Sequence, residues 1–154
     1  MVATEHLELR PLSLEAARAL AGDRAAAARL IGAVLPDGWP HPDLLDLPAR
    51  EPPYGIWAIV ERETGTVVGD AGFHGPPGPS GTVELGYSVL PFRRRRGYAS
   101  EAARALTGWA LAQPGVSAVI ARCDPGNAAS IGTLERAGFR RTGEAGGLLD
   151  WAYP

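Results

Sequence analysis

The sequence predicts a mixed α/β (α+β) fold, with a mostly antiparallel central sheet of six to seven strands flanked by about four helices. Three observations lead there. Strand-length segments of apolar or alternating character recur at residues 6–10, 56–60, 66–73, 83–90, 116–121, 140–144 and 148–153. Helical patterns interrupt them at four places, two of them opening on a capping residue, Ser13 and Asn127. No repeat or linker divides the 154 residues, so one domain over 1–154 is expected.

Residues 6–10 alternate as His6-Leu7-Glu8-Leu9-Arg10, the period of a half-buried strand. Ser13 is positioned to cap a helix through Leu20, and a second helical pattern covers residues 24–34. Proline and aspartate accumulate from 36 to 53 around Trp39. This predicts a long connection with one or two helical turns at most, of a length that often carries binding. Residues 56–60 and 66–73 read as paired strands around the turn Glu63-Thr64-Gly65. Residues 75–81 hold too much proline and glycine for any regular element.

The 83–90 strand runs into four arginines and then a helical pattern from about Ser100 to Ala112. Its predicted buried stripe is Ala102, Ala103, Leu106, Trp109 and Ala110. After the 116–121 strand, Asn127 stands where an N-cap belongs, and Gly138 closes the following helix after Ala137. Two short strands end the chain.

The turn Arg94-Arg95-Arg96-Gly97-Tyr98-Ala99 carries the clearest chemistry. A strand, a tight turn and a helix start gather backbone N–H groups that have no intrahelical partner, and the helix dipole adds positive character. Gly97 lets the backbone approach a ligand, and guanidinium groups match phosphate geometry. By itself the run also suits a solvated charged face or a nucleic-acid patch. The whole-chain balance argues against nucleic acid: 15 basic residues face 17 acidic ones, for a net charge of −2, and no basic stripe extends beyond the run.

Other classes recede too. No apolar run reaches the eighteen or so residues of a membrane span, and the single cysteine, Cys123, allows no internal disulfide. A cytoplasmic protein without a membrane partner is expected. His6, His41 and His74 lack metal-site spacing. Of the three, His74 can touch a ligand beside the Gly/Pro loop, but a surface position is the default. Trp39 and Trp57 line a cleft or fill the core, with core packing the default. The chain has no lysine and a single asparagine, Asn127, which invites a local explanation as cap or ligand contact.

These residues resemble the GCN5-related N-acetyltransferase (GNAT) superfamily. Residues 94–99 match its acetyl-CoA motif: Arg or Gln, two residues, Gly, one residue, then Gly or Ala. Residues 127–139, Asn-Ala-Ala-Ser-Ile-Gly-Thr-Leu-Glu-Arg-Ala-Gly-Phe, look like its second cofactor segment. Glu84-Leu85-Gly86-Tyr87 and Ser100-Glu101-Ala102 are similar to the branch that includes the ribosomal-protein N-terminal acetyltransferases. The resemblance spans residues 6–153.

It implies acetyl-CoA as donor and an amine as acceptor, by direct transfer, in a monomer or homodimer. Arg94, Arg95, Arg96, Gly97, Tyr98 and Ala99 are then expected at the pyrophosphate. The 83–90 strand is expected to splay from its neighbour, so that the N–H of Val89 faces the thioester carbonyl. Glu84 shares a strand face with Gly86 and Ser88 and is the candidate base, against a plain solvent-facing role. Asn127 and Ser130 are expected at the pantetheine, with Ser130 the available hydroxyl for the leaving thiolate. Many members use a tyrosine seven residues after the Asn127 position, where this chain has Leu134. That departure leaves a non-catalytic acyl-CoA-binding module as the rival reading. The acceptor pocket is expected between the 36–53 loop, the 75–81 loop and the C-terminal strands.

Overall fold

The first two helices start where short polar side chains replace missing backbone partners. The computed structural model describes residues 1–47 and 50–154. Ser13 accepts from the Ala16 N–H at the start of α1 (Leu14–Ala19), and Asp23 accepts from Ala26 at the start of α2 (Arg24–Ile31). Gly32, left-handed at φ 76°, ends α2 three residues before the expected boundary. One short helix, α3 (Pro42–Leu45), interrupts the long connection. Of the 36–53 loop, Pro48 and Ala49 lie outside the described residues.

Eight strands form one sheet: β1 (Val2–Ala3), β2 (Leu7–Pro11), β3 (Ile56–Glu61), β4 (Thr66–Phe73), β5 (Thr82–Val89), β6 (Ala118–Cys123), β7 (Arg140–Ala145) and β8 (Leu148–Ala152). Their order is β1-β2-β3-β4-β5-β6-β8-β7. The expected six to seven strands become eight because Val2 and Ala3 pair with Leu9 and Glu8. The expected four or so helices become five among the described residues, with α3 alongside α4 (Tyr98–Leu111) and α5 (Ala128–Ala137). The sixth strand begins at Ala118 instead of Val116, because the Ser117 N–H is drawn to the Gly81 carbonyl at 2.7 Å.

Among the described residues, all strand pairs are antiparallel except β5 with β6. Their ladder runs from Thr82↔Ala118 to Leu85↔Ala121 and stops there. The second half of β5, from Gly86 to Val89, therefore keeps one edge unpaired.

Two apolar layers hold the sheet. On one face Leu7, Leu9, Trp57, Ile59 and Leu85 pack against Ala102, Leu106 and Ala110 of α4 and Leu134 of α5. On the other, Ala58, Val60 and Val67 pack against Ala16, Leu20, Ala27, Ile31 and Trp39. β3 is buried on both faces, which explains its unbroken apolar run. Trp109 is only partly buried and packs its ring against Tyr54, Trp57 and Phe73. Gly69 lets β4 and β5 close up beside Val89: a Cβ there would lie 2.1 Å from the Ser88 carbonyl oxygen.

Candidate functional site

The arginine turn is shaped by two left-handed residues. β5 ends at Val89 and one 3₁₀ turn follows over Pro91–Arg93. Arg94 is extended, Arg95 adopts φ 66° and Gly97 adopts φ 77°. A non-glycine residue in that region costs about 1–3 kcal/mol and persists only where its surroundings impose it. Gly97 is the N-cap of α4 and supplies no side chain. The helix consequently begins at Tyr98, two residues before its expected start, and its first amides lack intrahelical partners.

Glu61 holds this turn in place, and sequence reasoning missed it. Its side chain is almost fully buried at the end of β3. It accepts from Arg93 Nε at 2.9 Å, the Tyr98 hydroxyl at 2.7 Å and the Thr64 hydroxyl at 2.8 Å, with Arg96 at 3.8 Å. Burial alone would raise the Glu61 carboxyl. The hydrogen bonds from Tyr98, Thr64 and Arg93, with the Arg93 charge, outweigh it and keep the group below its ordinary value. Tyr98 is thereby committed to the core, held in its neutral form by burial and its bond to Glu61.

The arginines divide their work. Arg94 Nε donates to the Val89 carbonyl at 3.0 Å, bracing the open end of β5. Arg95, Gly97, Tyr98 and Ala99 line a cavity of about 540 Å³ together with Val89, Arg94, Asn127 and Ser130. Arg96 instead lines a neighbouring surface recess with Thr4, Glu101 and Arg104. Eight of the nine expected cofactor positions thus meet in one cavity, and Arg96 is the exception. Tyr87, Ser88, Arg93, Ser100, Ala129, Thr133 and Arg136 complete its wall.

Register explains why the open edge of β5 is useful. The Leu90 N–H donates to the Val68 carbonyl, and the His74 N–H to the Glu84 carbonyl. Even-numbered residues of β5 therefore bond to β4, and alternation turns the Tyr87 and Val89 amides toward the edge that β6 leaves. Two free strand amides, continuous with the helix start, face the same cavity.

Asn127 caps α5, accepting from the Ser130 N–H at 3.0 Å. The Ser130 hydroxyl meets the Tyr87 hydroxyl at 2.7 Å. Burial keeps the Tyr87 phenol protonated well beyond neutral pH, opposed by its bond to Ser130. Leu134 is buried in the core, and the phenol nearest Ser130 comes from Tyr87 of β5. The sequence held a signal for this, since Tyr87 was the only polar member of the face shared with Val83 and Leu85.

On the opposite sheet face, Glu84 lies partly buried with His74 Nδ1 at 3.3 Å from its carboxylate. Gly86 and exposed Ser88 extend that face as small residues. Asp70 of β4 stands directly across from Ser88. Its Oδ2 accepts from Trp39 Nε1 at 2.9 Å, and burial, opposed by that bond and by His41, raises its carboxyl to about 6. Trp39 and Trp57 are both buried in the core, and Arg24 of α2 fixes Trp39 by donating to its carbonyl at 2.6 Å.

The expected histidines take local roles. His6 pairs with Glu101 at 2.8 Å, which raises the imidazole, while the Thr4 and His6 bonds hold Glu101 below its ordinary value despite burial. His41 caps α3. No group of three or more metal-ligating side chains occurs among the described residues. Among them, no helix is long and apolar enough to cross a membrane.

Comparison with known proteins meets this geometry. A sequence model described as acetyltransferase (GNAT) domain matches residues 6–140. An uncharacterised N-acetyltransferase of Bacillus subtilis, YjdG, is 37% identical over 100 residues, covering 65% of this chain and 60% of the relative. The chain spans less than two thirds of the length of the curated relatives it matches. An acetyltransferase structure from Agrobacterium tumefaciens is 26% identical at a TM-score of 0.64, over 99% of this chain and 93% of that one. The structure of AAC(6')-Ib in complex with paromomycin and acetyl-CoA superimposes at a TM-score of 0.65 with 19% identity, over 96% of this chain and 92% of that one, a likeness of fold. On the match over most of its length, the chain belongs to the GNAT acetyltransferase family.

Proposed function

We propose that this protein transfers an acetyl group from acetyl-CoA to a primary amine by direct attack. The carrying observation is the continuity of two donor sets in one cavity: the uncapped start of α4 and the free Tyr87 and Val89 amides of β5. The first suits a pyrophosphate and the second suits the amides of a pantetheine arm. Internal commitment of Arg93, Arg94 and Arg96 favours one small phosphorylated ligand over a nucleic-acid backbone.

In this reading the backbone of Arg95, Gly97, Tyr98 and Ala99 holds the pyrophosphate. The Val89 N–H polarises the thioester carbonyl and stabilises its oxyanion, a preorganised contribution. Asn127 donates its amide to the pantetheine while its oxygen caps α5. Ser130, backed by Tyr87, donates to the departing sulfur. A thiol of ordinary pKa about 8.5 needs only modest help. Glu84 receives the proton lost by the amine through water along the trough over Gly86 and Ser88. The acceptor is a peptide N-terminus, in keeping with the ribosomal-protein branch, or a small-molecule amine.

Leu134 in the usual tyrosine position favours the second reading, a binding module without chemistry. An amine-panel assay of thiol release from acetyl-CoA separates the two. Amine-dependent release is expected, and Glu84→Gln should lower kcat by about 10²–10⁴ with unchanged cofactor affinity. The loss should shrink at high pH, where free amine is abundant. Cofactor binding without thiol release for any amine would favour the binding module.

A further inference from the structure

We infer that Asp70 is the docking and first proton-accepting group for the acceptor's reacting nitrogen, and that it selects alkyl ammonium groups over neutral acceptors. The inference rests on the acetyl-transfer reading and adds a residue that the sequence motifs do not contain. Register carries it. Asp70 pairs with Ser88 and Gly69 with Val89, so Asp70 sits one residue from the strand pair bearing the oxyanion donor. Glu84 is four residues from Ser88 on the same strand, or about 13 Å at 3.3 Å per residue. A nitrogen attacking a carbonyl held at Val89 meets Asp70 long before Glu84.

The surroundings fit a cation. Asp70 is a lone carboxylate in the inner stretch of β4, flanked by Gly69 and Ala71, with Ala58 across on β3. Trp39 is its only hydrogen-bond partner among the described residues, and the indole engages one oxygen, Oδ2. Ser88 opposite is exposed, and Asp70 keeps part of its own surface open, so the remaining oxygen is reachable from the trough. Charged or titratable neighbours are His41 from the loop side and Glu84 with His74 farther along the trough. Arg24 and Arg10 are tied to backbone carbonyls. No guanidinium is hydrogen-bonded to the carboxylate among the described residues.

The proton balance is simple. The ammonium gives one proton to Asp70 and becomes a free amine. Its lone pair attacks the thioester carbon, forming C–N and an oxyanion held by the Val89 N–H, and collapse of the oxyanion breaks C–S. The Asp70 proton passes outward to water by way of Glu84, the second nitrogen proton then follows through the freed Asp70 to water, and the sulfur takes a proton from Ser130, backed by Tyr87, which water replaces. The net products are the amide, the free thiol and one proton. Burial raises Asp70 to about 6, which leaves it ionised at neutral pH yet basic enough to accept.

The test needs no known acceptor. With aspartate carboxyls ¹³C-labelled, the Asp70 resonance is identified by its loss in Asp70→Asn, and benzylamine is titrated with coenzyme A present. The resonance should move on adding benzylamine at pH 7, should not move with benzyl alcohol, and should respond equally in Glu84→Gln. In turnover with any amine the panel yields, Asp70→Asn should lose at least tenfold in kcat/KM and abolish the acid limb near pH 6. Its double mutant with Glu84→Gln should be no slower than the slower of the two single variants, as expected of residues on one proton path. An Asp70 resonance indifferent to benzylamine in protein that binds coenzyme A overturns this inference and leaves acetyl transfer standing. Failure to bind coenzyme A at all overturns both.

Discussion

Asn127 holds two tasks in one amide, and its two ends separate them. The oxygen caps α5 by accepting from Ser130, which contributes about 0.5–2 kcal/mol. The NH₂ group is left for the cavity that Asn127 lines. Aspartate keeps the cap but, ionised, cannot donate. Asn127→Asp is expected to preserve the melting temperature and weaken acetyl-CoA binding by about tenfold, read by calorimetry, while Ser130→Ala should lower turnover more than affinity. Equal affinity in the Asp variant would leave Asn127 as a cap alone. The Asn127 cap was legible in sequence because capping is local, three residues from cap to partner. Asp70, Glu61 and Tyr87 were not, because each meets its partner across the fold: Asp70 with Trp39, Glu61 with Arg93 and Tyr98, Tyr87 with Ser130. Asp70 still left a trace, as one charge inside the otherwise apolar and small-residue segment of β4.

At the scale of elements, the turn between β5 and α4 works as a clamped backbone more than as a cluster of charges. The motif over residues 94–99 located it correctly in sequence. What the four arginines do depended on Glu61, the last residue of β3, paired with Leu7 of β2 and Thr66 of β4. Two substitutions separate the backbone from its clamp. A Cβ at Gly97 would meet open space, but φ 77° strains any β-branched residue there. Gly97→Val should therefore weaken acetyl-CoA binding well beyond tenfold by distorting the amides and filling the approach. Glu61→Gln leaves the cradle atoms intact and removes the charge that holds Arg93 and Tyr98. It should cost about 1.5–3 kcal/mol of stability, in the range of hydrogen bonds to charged groups, with a smaller loss of affinity. A folded Gly97→Val protein that binds acetyl-CoA normally would move the cradle elsewhere. Stability of Glu61→Gln equal to that of the parent would deny Glu61 its clamping role.

For the molecule as a whole, the same carboxylates set how stability responds to pH, and they pull in opposite directions. Glu61 and Glu101 are held below their ordinary values. Their contributions are present above the unfolded carboxylate range and fade as pH falls through their folded values. Asp70 is raised, so the folded state grips its proton more tightly than the unfolded state. Its stabilising contribution is full below 3.8 and lost as pH climbs through about 6. His6 is raised as well, and its pairing with Glu101 fades as pH rises above the ordinary histidine value. The melting temperature should accordingly peak near pH 5, falling on the acid side through Glu61 and Glu101 and on the neutral side mainly through Asp70. Moving a carboxyl from 3.8 to about 6 costs the folded state about 3 kcal/mol once it is ionised. At about 2–4 °C per kcal/mol for a chain of this size, Asp70→Asn should raise the melting temperature at pH 8 by about 5 °C or more. At pH 4, where Asp70 already carries its proton, the change should be slight. Such a loss of neutral-pH stability is what the proposed role of Asp70 predicts. Calorimetric scans of the parent and Asp70→Asn from pH 4 to 8 check the point, and curves that run parallel throughout would mean that Asp70 titrates like any surface aspartate.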